Sequence, residues 1–253
     1  MNIILISAMP EEVGHAIKNL KNLEEINFGD LTIISGKWYK KQSGRDHINL
    51  SIAWSGWGKV SSARAITRLI SYASRKDKVD LIIFTGVAGA ISEKLDQWDL
   101  VVAESLVFHD INTTPFFGPY VIPALEKSEI KSDKNLIEWA YSTLSKTIKE
   151  NKIPFCRNIY KGLICTGDQF INDKEQLSSF LNYFPDAIAV EMEGAAIAQV
   201  AFQEKIPSIV LRVISDSADE KSSMDFTEFL KIYEKYAWKF IESLLNNMVN
   251  YKI

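Results

Sequence analysis

Eight short runs of this chain are rich in apolar residues, at 2–8, 31–39, 48–54, 79–84, 99–108, 159–165, 187–190 and 206–214. The first is nearly continuous, as expected of a central strand covered on both faces, and the others read as strands of the same α/β kind. Runs 31–39 and 48–54 flank the polar turn KQSGRDH and predict a hairpin. Between the runs, helical spacing predicts helices over 60–74, from Ser132 or Asp133 through 149, over 193–203 and over 225–250. In the last of these, Phe226, Phe229, Tyr233, Phe240, Ile241 and Leu244 share one face, which is core packing. Pro10, Glu11 and Glu12 open a further helix, with proline at its first position and acids in its first turn. No repeat, low-complexity segment or long linker divides the pattern, so a single domain over 1–253 is expected.

Composition narrows the classes. Hydrophobic residues make up 47% and charged residues 24% of the chain, and the net charge is -3. That balance offers no long-range field for nucleic acid or for an anionic membrane surface. The cysteines, Cys156 and Cys165, have neither CxxC nor metal-ligand spacing, and His15, His47 and His109 lie far apart, so no metal site is expected. The opening MNIILISAMPEEV has no basic leader and too short an apolar run for a membrane span. A cytoplasmic protein in a reducing compartment is expected.

Candidate chemistry gathers in one stretch, AIAVEMEGAAIAQVAFQEKIPSIVLRVISDSAD, which reads strand, helix, strand with acids at the strand ends. Glu191 and Glu193 bracket Met192 at the first junction and Asp216 follows the second strand. Ligands of open α/β sheets collect outside the carboxyl ends of strands, although Glu193 as a helix cap and Asp216 as a turn opener explain the same residues without a ligand. Arg212 interrupts an apolar strand, and a guanidinium buried there needs a carboxylate beside it. Strand-end glycines recur in SGWGKV and in Thr85-Gly86-Val87-Ala88-Gly89, where they serve either a turn or the close approach of a ligand. The GxGK of the first is neither a Walker motif nor a dinucleotide fingerprint. Phe170, in the loop TGDQFI, is either a core aromatic or a plate for a flat ligand. The loop HDINTTPFFGPYVIP carries three prolines and several aromatics, as an interface, a lid or a packed surface loop does.

Taken together, ISAMPEEV, SGWGKV, TGVAGAI, FHD, TGDQFI, AVEMEGAAIA and LRVISDSAD resemble, in this order, the methylthioadenosine/S-adenosylhomocysteine nucleosidases of the nucleoside phosphorylase superfamily. The resemblance runs from Asn2 to the DFTEF of the last helix. It implies a three-layer α/β/α fold around a mixed, partly barrel-like central sheet, and hydrolysis of the bond between adenine and ribose. It places Asp216 as the acid that assists proton delivery to adenine N7, Glu12 as the acid that activates water, and Glu193 as the holder of the ribose hydroxyls. Met192 and Glu191 would lie along the ribose. Phe170 would stack on adenine, with the Ile171 backbone at its edge and Phe226 closing the other side. Ser215 and Arg212 fall beside the acid, Arg212 where the family helps hold the water, while Val87, Ala88 and Gly89 line the pocket. Residues 109–123 would reach into a neighbouring subunit with Phe116 facing the 5′ substituent, which implies a homodimer. No metal or organic cofactor is implied.

Two rivals remain at this point. A phosphorylase of the same superfamily needs a glycine-rich, arginine-bearing phosphate loop where this chain has Pro10-Glu11-Glu12, and TGVAG carries no arginine. A nucleoside binder without turnover has no reason to assemble three acids. The chain departs from the family at Val87, where a serine is usual, at Trp57, where a smaller aliphatic residue faces the sugar and 5′ group, and in the loop after Phe117.

Overall fold

A computed structural model describes residues 1–40, 47–217 and 222–248. Among these residues the strands are β1 (Asn2–Ser7), β2 (Lys21–Phe28), β3 (Leu31–Tyr39), β4 (His47–Trp54), β5 (Leu81–Ala90), β6 (Leu100–Phe108), β7 (Glu129–Lys131), β8 (Ile159–Thr166), β9 (Ala187–Glu191) and β10 (Ser208–Asp216). The helices are α1 (Lys59–Ala73), α2 (Lys134–Lys149), α3 (Lys174–Leu181), α4 (Gly194–Gln203) and α5 (Ser222–Asn247).

The strands form one mixed sheet in the order β10-β6-β8-β9-β5-β1-β4-β3-β2, with β7 on β6. Because β10 also pairs in parallel with β5, the strands β5, β9, β8, β6 and β10 close on themselves as a small barrel, and β1 to β4 extend from it as an open wing. Alternation along β1 shows how the layers arise. Ile3 and Leu5 point to one face, where they join Leu136, Ile137, Phe240 and Ile241 of α2 and α5. Ile4 and Ile6 point to the other, where they join Ile66, Leu69, Ala195 and Ile197 of α1 and α4. Helices on both faces of one sheet make a three-layer α/β/α fold.

Several expected elements change shape. The helix expected from Pro10 is only a single 3-10 turn, Pro10–Glu12, because Gly14 takes φ +53 and packs against the α5 backbone at Glu234. β5 does not stop at residue 84 but continues through the glycine-bearing TGVAG, since β10 pairs with it as far as Gly89. Asp216 is the last residue of β10 and not the opener of a turn, and Glu193 occupies the N-cap position of α4 without a side-chain cap bond. β2, β7 and α3 were not expected; β2 is an edge strand whose residues are almost all exposed, so no apolar run announces it. The turn between β3 and β4 and the expected helix end at 250 lie outside the described residues. No helix among the described residues is long and apolar enough to cross a membrane.

Candidate active site

The carboxyl ends of β1, β5, β8, β9 and β10 converge on one cleft. Glu12 and Met9 enter it from the turn after β1, Trp57 from the turn after β4, and Val87, Ala88 and Gly89 from the end of β5. Phe170 and Ile171 come from the loop after β8, Glu191, Met192 and Glu193 from the β9–α4 junction, Ser215 and Asp216 from β10, and Phe226 from α5. Two of the residues singled out from sequence do not line it. Arg212 lies behind its wall, and Phe116 stands 88% exposed on the 109–123 loop.

Glu12 owes its place to the 3-10 turn, which folds its side chain back over the end of β1. Its Oε2 accepts the Ala8 and Met9 N–H groups at 2.8 and 2.8 Å, and its Oε1 accepts the Val87 N–H at 3.0 Å. Burial pushes its pKa up, Arg212 and these three amides pull it down, and the net is a carboxyl above its ordinary range. Gly86 makes this packing possible. A Cβ there would lie 2.5 Å from Arg212 Nη1 and collide with the Glu12 carboxylate, so β5 passes beneath both groups only as glycine. Sequence reading treated TGVAG as a strand end; a glycine inside a buried strand was the available signal.

Arg212 meets the requirement that a buried guanidinium imposes. Its Nη2 donates to Glu191 Oε2 at 2.5 Å and lies 3.9 Å from Glu193 Oε2, while its plane covers the Phe84 ring at 3.8 Å. Glu191 is an anchor. It also accepts the Glu193 and Gly194 amides at 3.0 and 2.8 Å and the Thr166 hydroxyl, and so ties β8, β9, β10 and the start of α4 together. Three carboxylates thus surround one cation. Glu193 bears the excess: burial and the neighbouring Glu191 push its pKa up to about 8, against the opposing pull of Arg212. Its Oε1 accepts the Gly58 N–H at 2.8 Å, which ties it to the start of α1.

Asp216 is buried in the same cleft, and the Ser215 hydroxyl donates to its Oδ2 at 2.6 Å. Between the acids the walls are apolar and flat. Phe170 meets Phe226 edge-on with centroids 6.1 Å apart, and Phe226 meets Trp57 edge-on at 6.3 Å. No group of three or more His, Cys, Asp or Glu among the described residues is arranged to hold a metal ion.

A slot walled by aromatic rings and lined by buried carboxyl groups suits a flat heteroaromatic base joined to a hydroxylated ring, and defines a nucleoside-type site. The chain matches the Phosphorylase superfamily over residues 2–246. It is similar to a solved 5′-methylthioadenosine/S-adenosylhomocysteine nucleosidase of Streptococcus pneumoniae with a transition-state inhibitor, at 31% identity over 97% of this chain and 99% of that one, TM-score 0.83. A Helicobacter pylori nucleosidase variant with 5′-methylthioadenosine in its active site is 32% identical over 97% of this chain and 98% of that one, TM-score 0.82. The futalosine hydrolase of Helicobacter pylori is 30% identical over 97% of each, TM-score 0.82. The chain therefore belongs to the phosphorylase superfamily and, within it, to the 5′-methylthioadenosine/S-adenosylhomocysteine nucleosidase family.

Proposed function

We propose that this chain hydrolyses the N-glycosidic bond between adenine and ribose in 5′-methylthioadenosine and S-adenosylhomocysteine, with 5′-deoxyadenosine as a further substrate, and releases adenine. The observation that carries this reading is the cradle around Glu12. Backbone N–H groups of Ala8, Met9 and Val87 converge on one point, and the Glu12 carboxylate takes all three. A phosphorylase needs such donors, and an arginine, free for a phosphate anion. Here the donors are committed to an acid, and the guanidinium behind it is paired with Glu191. A neutral water is the nucleophile that this arrangement accepts.

In the reaction, adenine lies against Phe170, with Phe226 on its other side and the Ile171 backbone at its edge, and the ribose hydroxyls meet Glu193. As the C1′–N9 bond breaks, its electron pair passes to the adenine ring, and Asp216, oriented by Ser215, assists delivery of a proton to N7. Positive charge grows on the ribose and is offset by the carboxylates beside it. A water on Glu12 forms the new C1′–O bond and passes its proton to Glu12, whose raised pKa makes it a better base than an exposed carboxylate. Arg212 acts from behind the wall, by orienting Glu191 and balancing Glu12. No step is routed through a metal or organic cofactor.

A binder of neutral nucleosides gains nothing from three buried acids and carries their desolvation cost, which favours turnover. We further place the chain as a cytoplasmic homodimer. Its two cysteines are buried free thiols, and Phe116 and Val60, 88% and 81% exposed, are apolar side chains of the kind a partner covers. The test is adenine release from the three nucleosides by the purified chain and by its Glu12→Gln and Asp216→Asn variants. Release that both substitutions abolish is expected. No adenine from any of them with the parent chain would overturn the reading.

A further inference from the structure

The first residue of α1 joins three loops of the cleft, and no step of the reaction uses it. Lys59 Nζ donates to Asp110 Oδ1 at 2.5 Å and lies 3.5 Å from Asp168 Oδ2. Asp110 Oδ2 in turn accepts the Asp168 N–H at 2.8 Å. Burial pushes the Asp110 pKa up, but the Lys59 ammonium and the Asp168 amide outweigh it and hold the carboxyl below its ordinary range. The N-cap of α1 is Gly58, which has no side chain with which to cap. Two acids from elsewhere serve instead: Asp168 Oδ1 accepts the Lys59 N–H at 2.8 Å, and Glu193 Oε1 accepts the Gly58 N–H at 2.8 Å. Gly58 sits at φ +93, and a Cβ on it would come within 2.9 Å of Asp168 Oδ1, so the turn is seated tightly on the 168 loop.

Exposed ion pairs contribute little to stability, about 0–1 kcal/mol, and Asp168 is half exposed, so its pair with Lys59 has small purpose in stability; the closer Lys59–Asp110 pair is more buried and holds the lysine in place. Its position gives it another. Glu193 has its nearest cation 3.9 Å away, so the Gly58 amide is the close contact that fixes its carboxylate. Asp168 is two residues from Phe170. One lysine therefore sets the turn that holds Glu193 and the loop that carries Phe170 against each other.

We propose that Lys59 is a positioning residue: by clamping Asp110 and Asp168 it holds the Gly58 amide where Glu193 must be aimed at the ribose hydroxyls. The inference rests on the nucleosidase reading above and deepens it. Its test compares kcat/KM for 5′-methylthioadenosine and its 3′-deoxy analogue in the parent and in Lys59→Met. A hydrogen bond between Glu193 and the hydroxyl gives the parent a preference for the intact ribose, and loss of the clamp should shrink that preference by about tenfold. The comparison of ratios cancels any general loss of activity. Should Lys59→Met not fold, Asp110→Asn makes the same comparison, since it keeps an acceptor for the Asp168 amide and removes the charge that holds Lys59. A parent that discriminates beside a variant that discriminates equally would overturn the inference alone. A parent with no preference would overturn the ribose assignment of Glu193 and the inference with it.

Discussion

The floor of the cleft and its mouth are built by different forces. On the floor, Glu12, Glu191 and Glu193 are buried carboxyl groups held by backbone amides at 2.8–3.0 Å, with one guanidinium bonded to Glu191 at 2.5 Å and 3.9 Å from Glu193. At the mouth, Phe226 meets both Trp57 and Phe170 edge-on with ring centroids more than 6 Å apart, and Trp57 is 54% exposed. Directional, desolvated bonds fix charge to a fraction of an ångström, as bond-breaking chemistry requires. Ring contacts are individually weak and leave room for adjustment, as holding a flat base between Phe170 and Phe226 and admitting different 5′ groups beside Trp57 requires. Chemistry is thus set by the floor and selection by the mouth, with Lys59 joining the two at one edge.

The largest effect should come from the floor. Glu12→Gln offers one acceptor oxygen and sets an NH2 against an amide donor, so kcat should fall by ~10²–10⁴-fold while nucleoside binding persists. Steady-state kinetics beside equilibrium binding of adenine measures both, and an unchanged kcat would remove Glu12 from the reaction. Gly86→Ala places a methyl group against Glu12 and Arg212, which should cost on the order of 1–3 kcal/mol of stability and most of the activity. A thermal melt and an activity assay check it; an active, equally stable variant would contradict the close approach.

Glu193 gives a pH test that separates stability from activity. Its unfolded-state pKa is the ordinary 4.5 and its folded-state value about 8, so the folded chain binds more protons between those values. Stability contributed by Glu193 therefore falls as pH rises through that window, and the loss is complete above it. Glu193→Gln should melt higher than the parent at pH 9, by several degrees, and the gain should vanish toward pH 4. An equal difference at both pH values would mean that burial does not hold the proton on Glu193. The smallest effect belongs to the mouth. Trp57→Ile should leave kcat on methylthioadenosine nearly intact and raise the relative kcat/KM for bulkier 5′ groups by about tenfold. Unchanged relative rates would separate Trp57 from selection.

The sequence made the interior of the molecule legible and its polar connections less so. Buried strands such as β1 and β10 announce themselves as apolar runs, and α2 by Asp133 and its spacing, because burial forces composition. β2 is polar and exposed, and β7 has three residues, so neither leaves a periodic trace. Arg212 within an apolar strand foretold a buried carboxylate, and the structure supplies Glu191. Residues named from the recurring motifs, among them Glu12, Phe170, Glu193 and Asp216, do share one cleft. What stayed hidden depends on contacts between distant segments. Gly86 matters because Glu12, 74 positions earlier, folds over it, and Lys59 because Asp110 and Asp168 come to it from other strand ends.

On the proposed mechanism water, and not phosphate, attacks the ribose. This is tested most directly by incubating the purified chain with 5′-methylthioadenosine in phosphate-free buffer and in buffer with added phosphate, and identifying the sugar product of each. Free 5-methylthioribose, formed at a rate indifferent to phosphate, is the predicted result. A sugar 1-phosphate formed only when phosphate is present would contradict the claim and require the amides of Ala8, Met9 and Val87 to release Glu12 for an anion.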